Sequence, residues 1–247
     1  MTTAFDEVIA VRDLGTPDAD EVTITGADPV VSTRFKIGET AAAVLGGIGV
    51  AVNDIWELKT GERQTATVDV HHAAAALRST GYLQKPGPDG AFKTIVNPAH
   101  ELMMQVTQPY PTKDGRYVLP HFNLPHLQAR VLKLLGCELN PASIAPAVAK
   151  WDAMDLENAI DEIRACGGMV RSNDEWLATP HGQVLAAKPI VEIIKIGDSD
   201  PEPMPEGPRP LSGIKALDLT RILAGPISGR TLAEHGAEVL MVTAVRL

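Results

Sequence analysis

The chain has 247 residues, of which 45% are hydrophobic and 21% are charged, and these proportions are those of an ordinary globular protein. Aromatic residues make up only 4%, so aliphatic side chains must form most of the core. The formal net charge of −9 repels nucleic acids and anionic membrane surfaces, which argues against both as partners. The length fits one large domain or two modest ones.

The sequence contains no signal of export or of membrane insertion. Its N-terminal residues lack a basic region followed by an apolar one. The most apolar stretch, Thr40–Val52, is expected to be too short to span a bilayer. Cys137 and Cys166 match no metal-ligand spacing. We therefore expect a cytoplasmic protein with buried, reduced thiols and no bound metal.

The first third of the chain predicts two strands separated by a long helix. A strand is predicted at Glu21–Thr25, and from Thr40 to Leu58 apolar residues recur at the three- and four-residue spacings of a helix. Lys59–Arg63 ends that helix with a glycine and cations. Thr65–Val70 then alternates as a strand, and His72–Ser79 indicates another helix.

The middle of the chain predicts a loop followed by a strand and several helices. Glycine and proline mark the loop at Tyr82–Ala91. A strand is predicted at Tyr117–Leu119, after an Asp-Gly turn. Amphipathic helices are predicted at Leu124–Leu135 and Leu156–Cys166, and a short helix begins at Asn173.

The last part of the chain differs in pattern. Pro201–Pro210 holds five prolines in ten residues and is the best candidate for a linker. After it, Gly213–Leu219 indicates a strand, Ile227–His235 a helix and Glu238–Val242 a second strand, which together form a βαβ unit. Because one such unit leaves strand edges without neighbours, we expect the rest of the chain or another polypeptide to complete the sheet.

The turn between that strand and helix lies where open parallel sheets bind phosphates, because helix N-terminal N–H groups point out of the sheet edge there. It contains neither the GxGxxG pattern nor a P-loop. The stretch Pro210–Val239 resembles the amino-terminal signature of the family III CoA-transferases, which include formyl-CoA transferase-like (CaiB/BaiF) proteins. By that resemblance, the residues implied on the CoA site are Arg221, Ile222, Leu223 and Ala224.

The end of the chain departs from that signature. In the family, the next strand leads into a cluster of Lys, Glu and Arg that contacts the CoA phosphates. This chain has Met241–Val245 instead, with only Arg246 nearby. The resemblance therefore leaves Arg246 as the candidate phosphate contact.

A second resemblance lies upstream. Gly38-Glu39, then Gly49, then Lys59-Thr60-Gly61 are similar to the family's mid-chain segment, whose catalytic aspartate falls at Glu39. The resemblance implies that Glu39 attacks the acyl-CoA carbonyl, forms a mixed anhydride and becomes an enzyme–CoA thioester that the acceptor acid resolves. Glutamate is the same nucleophile on a side chain one methylene longer. A carboxylate that only complements the helix dipole is the structural alternative.

The order of these segments differs from that of ordinary family members. Asp114–Val118 and Asn173–Leu177 also resemble elements of the family's smaller domain. In ordinary members the segment that resembles 210–239 comes first and the acid comes later, whereas here the acid comes first. We interpret residues 1–205 as the later part of one copy, including the smaller domain, and residues 206–247 as the opening βαβ segment of a second.

The resemblance implies an α/β fold with a smaller α+β domain and a Rossmann-like βαβ segment of a larger domain. It also implies a homo-oligomer, or a second polypeptide that completes the fold. Three functions remain open. The first is CoA transfer between an acyl-CoA and a small carboxylic acid, without a permanently bound cofactor. The second is acyl-CoA racemisation, whose His/Asp pair the sequence does not locate. The third is a non-catalytic, CoA-binding or structural half that needs a partner chain.

Overall fold

The computed structural model describes residues 3–95 and 98–243. In chain order its elements are α1 (Ala4–Ile9), β1 (Val22–Thr25), α2 (Ile37–Thr60), β2 (Ala66–Asp69), α3 (Val70–Ala76), β3 (Gln84–Pro86), β4 (Phe92–Thr94), α4 (Pro98–Val106), β5 (Tyr110–Pro111), β6 (Tyr117–Pro120), α5 (Pro125–Leu135), α6 (Pro141–Val148), α7 (Ala153–Glu162), β7 (Gly167–Met169), α8 (Asn173–Leu177), α9 (Pro180–Ala186), β8 (Lys215–Asp218), α10 (Ala224–Glu234) and β9 (Glu238–Met241). A 3₁₀ turn covers Ser79–Tyr82. The mixture of helices and strands confirms the predicted α/β class.

The chain divides into two compact units. The first combines Met1–Leu83 with Pro189–Arg246, and the second is Gln84–Lys188. The predicted division into residues 1–205 and 206–247 separates parts of two copies of a family member. It does not describe compact units, and it stays a prediction. The last segment nevertheless packs in the same unit as the segment that carries Glu39.

The first unit opens with a parallel βαβ arrangement. β1 and β2 pair in parallel, with Val22 opposite Ala66 and Thr25 opposite Asp69, and α2 connects them. This confirms the predicted strand, helix and strand. A short helix, α1, precedes β1 and packs against α2; the sequence pattern did not predict this helix.

The long helix α2 bears on one expectation. It has 24 residues and is long and apolar enough to cross a membrane by length and composition alone. The helix extends beyond the apolar stretch Thr40–Val52 at both ends, so the length of that stretch alone does not decide the question. A core helix of a soluble protein passes the same test. Here Ala42 and Val50 are fully buried, and α2 packs on α1, α3 and both strands of its sheet.

A network of charged side chains holds this βαβ unit together. Arg63, just before β2, donates to the buried carboxylate of Glu21 at 2.6 Å and to Asp54 of α2 at 3.0 Å. Arg12 donates to the same Asp54 at 2.7 Å, and Asn53 donates to Glu21 at 2.9 Å. The carboxylates raise the pKa of Arg63. Because each buried charge has an opposite partner, the network fixes both strand starts against α2.

The predicted βαβ unit near the end of the chain is also present. β8 and β9 pair in parallel, with Lys215 opposite Glu238, and α10 connects them. The helix begins at Ala224, earlier than the predicted Ile227, so the residues Ala224–Pro226 form its first turn instead of a loop. Proline is tolerated there because backbone N–H groups of a first turn have no intrahelical partner.

One face of this second sheet is exposed. Leu217 and Leu240 are 62% and 66% exposed, and Leu219, directly after β8, is 65% exposed. Within the described residues β8 and β9 pair only with each other. The sequence-based expectation that this βαβ unit needs further cover agrees with that exposure.

The second unit has its own core. β5, β6 and β7 form an antiparallel sheet, and helices α5, α6 and α7 contribute buried aliphatic side chains. Val118 of β6, Val131 of α5, Ile144 of α6 and Leu156 of α7 are all fully buried in one cluster. The predicted strand at Tyr117 and the predicted helix at Leu124–Leu135 are confirmed.

Two predicted boundaries in this unit were wrong. The segment Tyr82–Ala91, predicted as a loop, contributes β3 to an antiparallel hairpin with β4. The helix predicted to end at Cys166 ends at Glu162, because Arg164 takes a left-handed backbone conformation with φ of 51°. A left-handed residue cannot continue a right-handed helix.

The cysteines agree only in part with their prediction. Both are free thiols, but Cys166 is exposed and Cys137 is only half-buried. Cys166 lies between the end of α7 and β7, where its backbone carbonyl accepts the N–H of His121 at 2.9 Å. The backbone pairing fixes the main chain of this connection and leaves the thiol outside the core. Burial raises the pKa of Cys137.

Candidate functional site

The first turn of α2 carries the candidate nucleophile. Gly38 packs so closely against Val70 and Val30 that a Cβ at this position would collide with both side chains. This glycine therefore lets the start of the helix lie against the carboxyl end of the first sheet. Glu39 follows it, at the sheet edge where parallel α/β folds bind ligands.

Asp28, in the turn after β1, holds this end of the helix. Its carboxylate accepts the backbone N–H of Glu39 at 2.8 Å and that of Gly38 at 3.2 Å. These hydrogen bonds, led by that from Glu39, hold the pKa of Asp28 below its usual value. Helix N-terminal N–H groups need such acceptors. No local pattern of residues predicts this cap, because it depends on a contact across 10 and 11 positions of sequence.

The side chain of Glu39 is partly accessible. Its Oε2 accepts from the ammonium of Lys36 at 2.7 Å, and its Oε1 accepts from the backbone N–H of Asp28 at 3.4 Å. The side chain is 33% exposed, so an electrophile can reach the carboxylate. The carboxylate raises the pKa of Lys36, which keeps that ammonium protonated. The lysine can thus stabilise negative charge at this position.

The predicted CoA-binding residues lie at the turn between β8 and α10. Arg221, Ile222, Leu223 and Ala224 are all exposed. Ile222 has a φ of +73°, a conformation that a β-branched residue rarely adopts. Such backbone strain occurs most often at ligand-binding sites. Leu223, which precedes α10, makes no side-chain hydrogen bond to the first turn, and helix N-termini favour anions.

The structure brings two of the predicted segments to one groove. Leu223, from the CoA-binding turn, and Lys36 and Thr40, on either side of Glu39 in sequence, line the same groove of the first unit. Glu39 itself and Arg221, Ile222 and Ala224 are not among its lining residues. Arg246 lies outside the described residues.

The Lys-Thr-Gly turn has a structural role in the described chain. The ammonium of Lys59 donates to three backbone carbonyls just before β8, those of Arg209, Pro210 and Ser212, at 3.1 to 3.3 Å. Gly61 ends α2 in a left-handed conformation with φ of 78°. The turn therefore ties the helix of Glu39 to the second βαβ unit.

The matches in the smaller domain are also structural. Asp114 accepts from Thr112 and from the backbone N–H of Ala153, so it caps α7. Glu175 forms a capping box with Ser172 at the start of α8. These contacts explain the residue types without a role in catalysis.

The fold and the site define an α/β protein with parallel βαβ units and a helix-start carboxylate next to a groove. Residues 211–246 match the model of CoA-transferase family III. The acetyl-coenzyme A transferase nodX of Hypoxylon pulicicidum is 36% identical over 87% of this chain and 42% of its own length. An acyl-CoA transferase of Gibberella moniliformis is 28% identical over 92% of this chain and 46% of its own length.

A solved structure of a CaiB/BaiF family protein from Brucella suis matches with a TM-score of 0.45 and 14% identity, over 65% of this chain and 47% of that one. The chain is therefore similar to the family III CoA-transferases, through residues 211–246 and through the curated relatives that it matches. It spans about half the length of the curated relatives it matches.

The longer alignment also bears on the order of segments. The alignment with the Gibberella moniliformis protein covers 92% of the chain. The unaligned residues are too few to reach Glu39 from one end or residue 211 from the other, so the alignment includes both. Because an alignment is collinear, the relative has its matching segments in the same order, with the acid-bearing segment first. The unusual order is therefore shared with a relative.

Proposed function

We propose that this protein takes part in CoA transfer between an acyl-CoA and a carboxylic acid, with Glu39 as the covalent nucleophile. The proposal rests on the partly exposed carboxylate of Glu39 and on its ion pair with Lys36, which lines the same groove as Leu223 of the predicted CoA-binding turn. The names of the relatives support acyl-CoA as the substrate class. CoA enters and leaves as a thioester substrate, so the reaction needs no permanently bound cofactor.

The proposed reaction has four steps. The Glu39 carboxylate attacks the acyl carbonyl, releasing CoA thiolate and forming a mixed anhydride. The thiolate then attacks the Glu39 carbonyl, releasing the donor acid and leaving a glutamyl–CoA thioester. The acceptor carboxylate attacks that thioester, which forms a second anhydride and frees the thiolate. Attack of the thiolate on the acceptor's acyl carbonyl yields the new acyl-CoA and restores Glu39.

Lys36 has a defined part in this scheme. Its ammonium lies 2.7 Å from Glu39 Oε2, where it orients the carboxylate in the free protein. When Glu39 becomes acylated, that oxygen loses its charge and the ammonium is free to pair with the oxyanion of the tetrahedral intermediate. Charge stabilisation of this kind accelerates acyl transfer.

A second candidate function is a non-catalytic half that works with a partner chain. The observation in its favour is the exposed apolar face around Leu217, Leu219 and Leu240. An exposed apolar face of this kind is typical of a surface that another polypeptide covers.

Intact-mass spectrometry of the full chain with a panel of acyl-CoAs separates these functions. We expect a mass gain of CoA less one water, removed by hydroxylamine, in the native protein and in Glu39→Asp. Glu39→Gln should form no adduct, whereas Glu62→Gln, at an exposed glutamate just beyond the far end of α2, should react normally. A native protein that stays unmodified by every acyl-CoA would contradict the proposal and favour the non-catalytic half.

A further inference from the structure

The groove that Leu223 lines is mostly apolar. It lies between α2, α3 and α10 and has a volume of about 630 Å³. Pockets for small ligands typically have volumes of about 300 to 1,000 Å³ and mostly apolar walls. The aliphatic walls of this groove are Val44, Leu45, Ile48, Leu77 and Ile227.

These walls remain open to solvent in the protein. Val44 is 45% exposed and Leu77 is 61% exposed, although both lie in a concave part of the surface. The floor is built from alanines, Ala41, Ala73 and Ala76. Small residues at the floor and large ones at the walls create a channel that a slender apolar ligand can fill.

The groove also has polar lining residues on two of its helices. From the start of α2 come Thr40 and Lys36, whose ammonium is bound to Glu39. From α10 come Arg230, Thr231, Glu234 and His235, and Arg230 pairs with Glu234 at 3.2 Å and donates to Ser79 at 3.0 Å. The aliphatic side chains of α2 offer no partner for a polar substituent, and burying an unpaired polar group is unfavourable.

We propose that this groove binds the linear aliphatic acyl chain of the acyl-CoA substrate, so that the protein prefers medium-length unbranched acyl groups. The inference rests on the proposed function, because it takes Glu39 as the position of the thioester carbonyl. With the carbonyl at Glu39 and CoA on the turn at Leu223, the acyl chain is the remaining part of the substrate. The groove is the adjoining apolar space.

The chain-length dependence of binding tests this assignment without requiring the reaction. Dissociation constants are measured by calorimetry for acetyl-, butyryl-, hexanoyl-, octanoyl- and decanoyl-CoA on the full-length Glu39→Gln protein, which cannot form the adduct. Each methylene that enters the groove should tighten binding about threefold to fourfold. Adduct formation on the native protein is measured in parallel by intact mass.

A pair of adjacent substitutions on α3 gives the matched control. Ala76→Phe places a ring on the groove floor and should remove most of the chain-length dependence. Ala75→Phe adds the same ring at an exposed position that does not line the groove, and the dependence should remain.

The outcomes separate the two proposals. Equal affinity for acetyl- and decanoyl-CoA, with a normal adduct at Glu39, would overturn the acyl groove and leave the proposed function intact. Chain-length dependence without any adduct on the native protein would support the groove and contradict the role of Glu39. A change of oligomeric state in Ala76→Phe but not in Ala75→Phe would identify the groove as a protein interface and overturn the inference.

Discussion

The ammonium of Lys59 donates to the backbone carbonyl of Ser212 at 3.3 Å, across 153 positions of sequence. Two further carbonyls, those of Arg209 and Pro210, accept from the same ammonium. An ammonium has three donors, and all three are used here. The helix that carries Glu39 is thereby joined at its far end to the chain that enters β8.

Replacing this lysine should loosen the second βαβ unit without unfolding the first. In Lys59→Met the three carbonyls lose a charged donor, and hydrogen bonds to charged groups are worth more than neutral ones. We expect amide hydrogen exchange in β8 and β9 to accelerate about tenfold. Exchange in β1 and β2 should change little, and equal acceleration in both sheets would contradict a local clamp.

The strained backbone of Ile222 gives a second prediction. Ile222→Gly removes a side chain from a position with φ of +73°, where glycine fits without steric cost. We expect the free energy of unfolding to rise by about 1 kcal/mol. If the isoleucine contacts CoA as predicted, CoA binding should weaken in the same variant. Unfolding and calorimetric titration measure the two effects, and Leu219→Gly, at an exposed position before the turn, serves as the control for a lost apolar side chain.

Two glycines in α2 should respond differently to alanine. A Cβ at Gly49 would lie 3.6 Å from the Cβ of Ala66, which is an ordinary contact. Gly49→Ala should therefore stabilise the protein by about 0.5 to 1 kcal/mol, because glycine is unfavourable inside a helix. A Cβ at Gly47 would collide with Val8 of α1. Gly47→Ala should destabilise the protein in thermal unfolding, and similar effects of the two substitutions would show that α1 does not need the close approach.

The second unit should lose stability in acid through Glu157. Arg171 pairs with this carboxylate at 2.5 Å and the backbone N–H of Met169 donates to it at 2.6 Å, and both lower its pKa in the folded protein. A lowered folded pKa contributes stability above the pKa of the unfolded chain, and that stability is lost as the pH falls through the folded value. The loss should begin below about pH 4.5. Thermal unfolding is measured for the native protein and for Glu157→Gln from neutral pH downward. The unfolding temperature should fall less steeply with decreasing pH in the variant.

Some of these features could be predicted from the sequence because they depend on local patterns. The alternation around β1 and β2, the long run of small and apolar residues in α2, and the strand–helix–strand pattern after Pro210 all predicted the observed elements. The same pattern placed Glu39 at a helix start, whereas its candidate role came from the family resemblance. Periodicity is a local property, and neighbouring residues alone determine it.

Boundaries were less predictable, because caps and close contacts decide them. The start of α2 depends on Asp28, which caps Gly38 and Glu39 from outside the helix. The start of α10 at Ala224 was missed for a related reason: a Gly-Pro pair favours both a loop and a first helical turn. Tertiary packing selects between such alternatives.

By itself, the sequence determined the α/β class, the two βαβ segments and the candidate carboxylate Glu39. Only the tertiary structure decided that Leu223 and Lys36 line one groove, that Asp28 orients the start of α2 and that Lys59 holds the chain before β8. The physical reason is the distance along the chain between the partners. Side-chain hydrogen bonds and apolar contacts between remote segments form only when the whole unit packs, and no local pattern of residues specifies them.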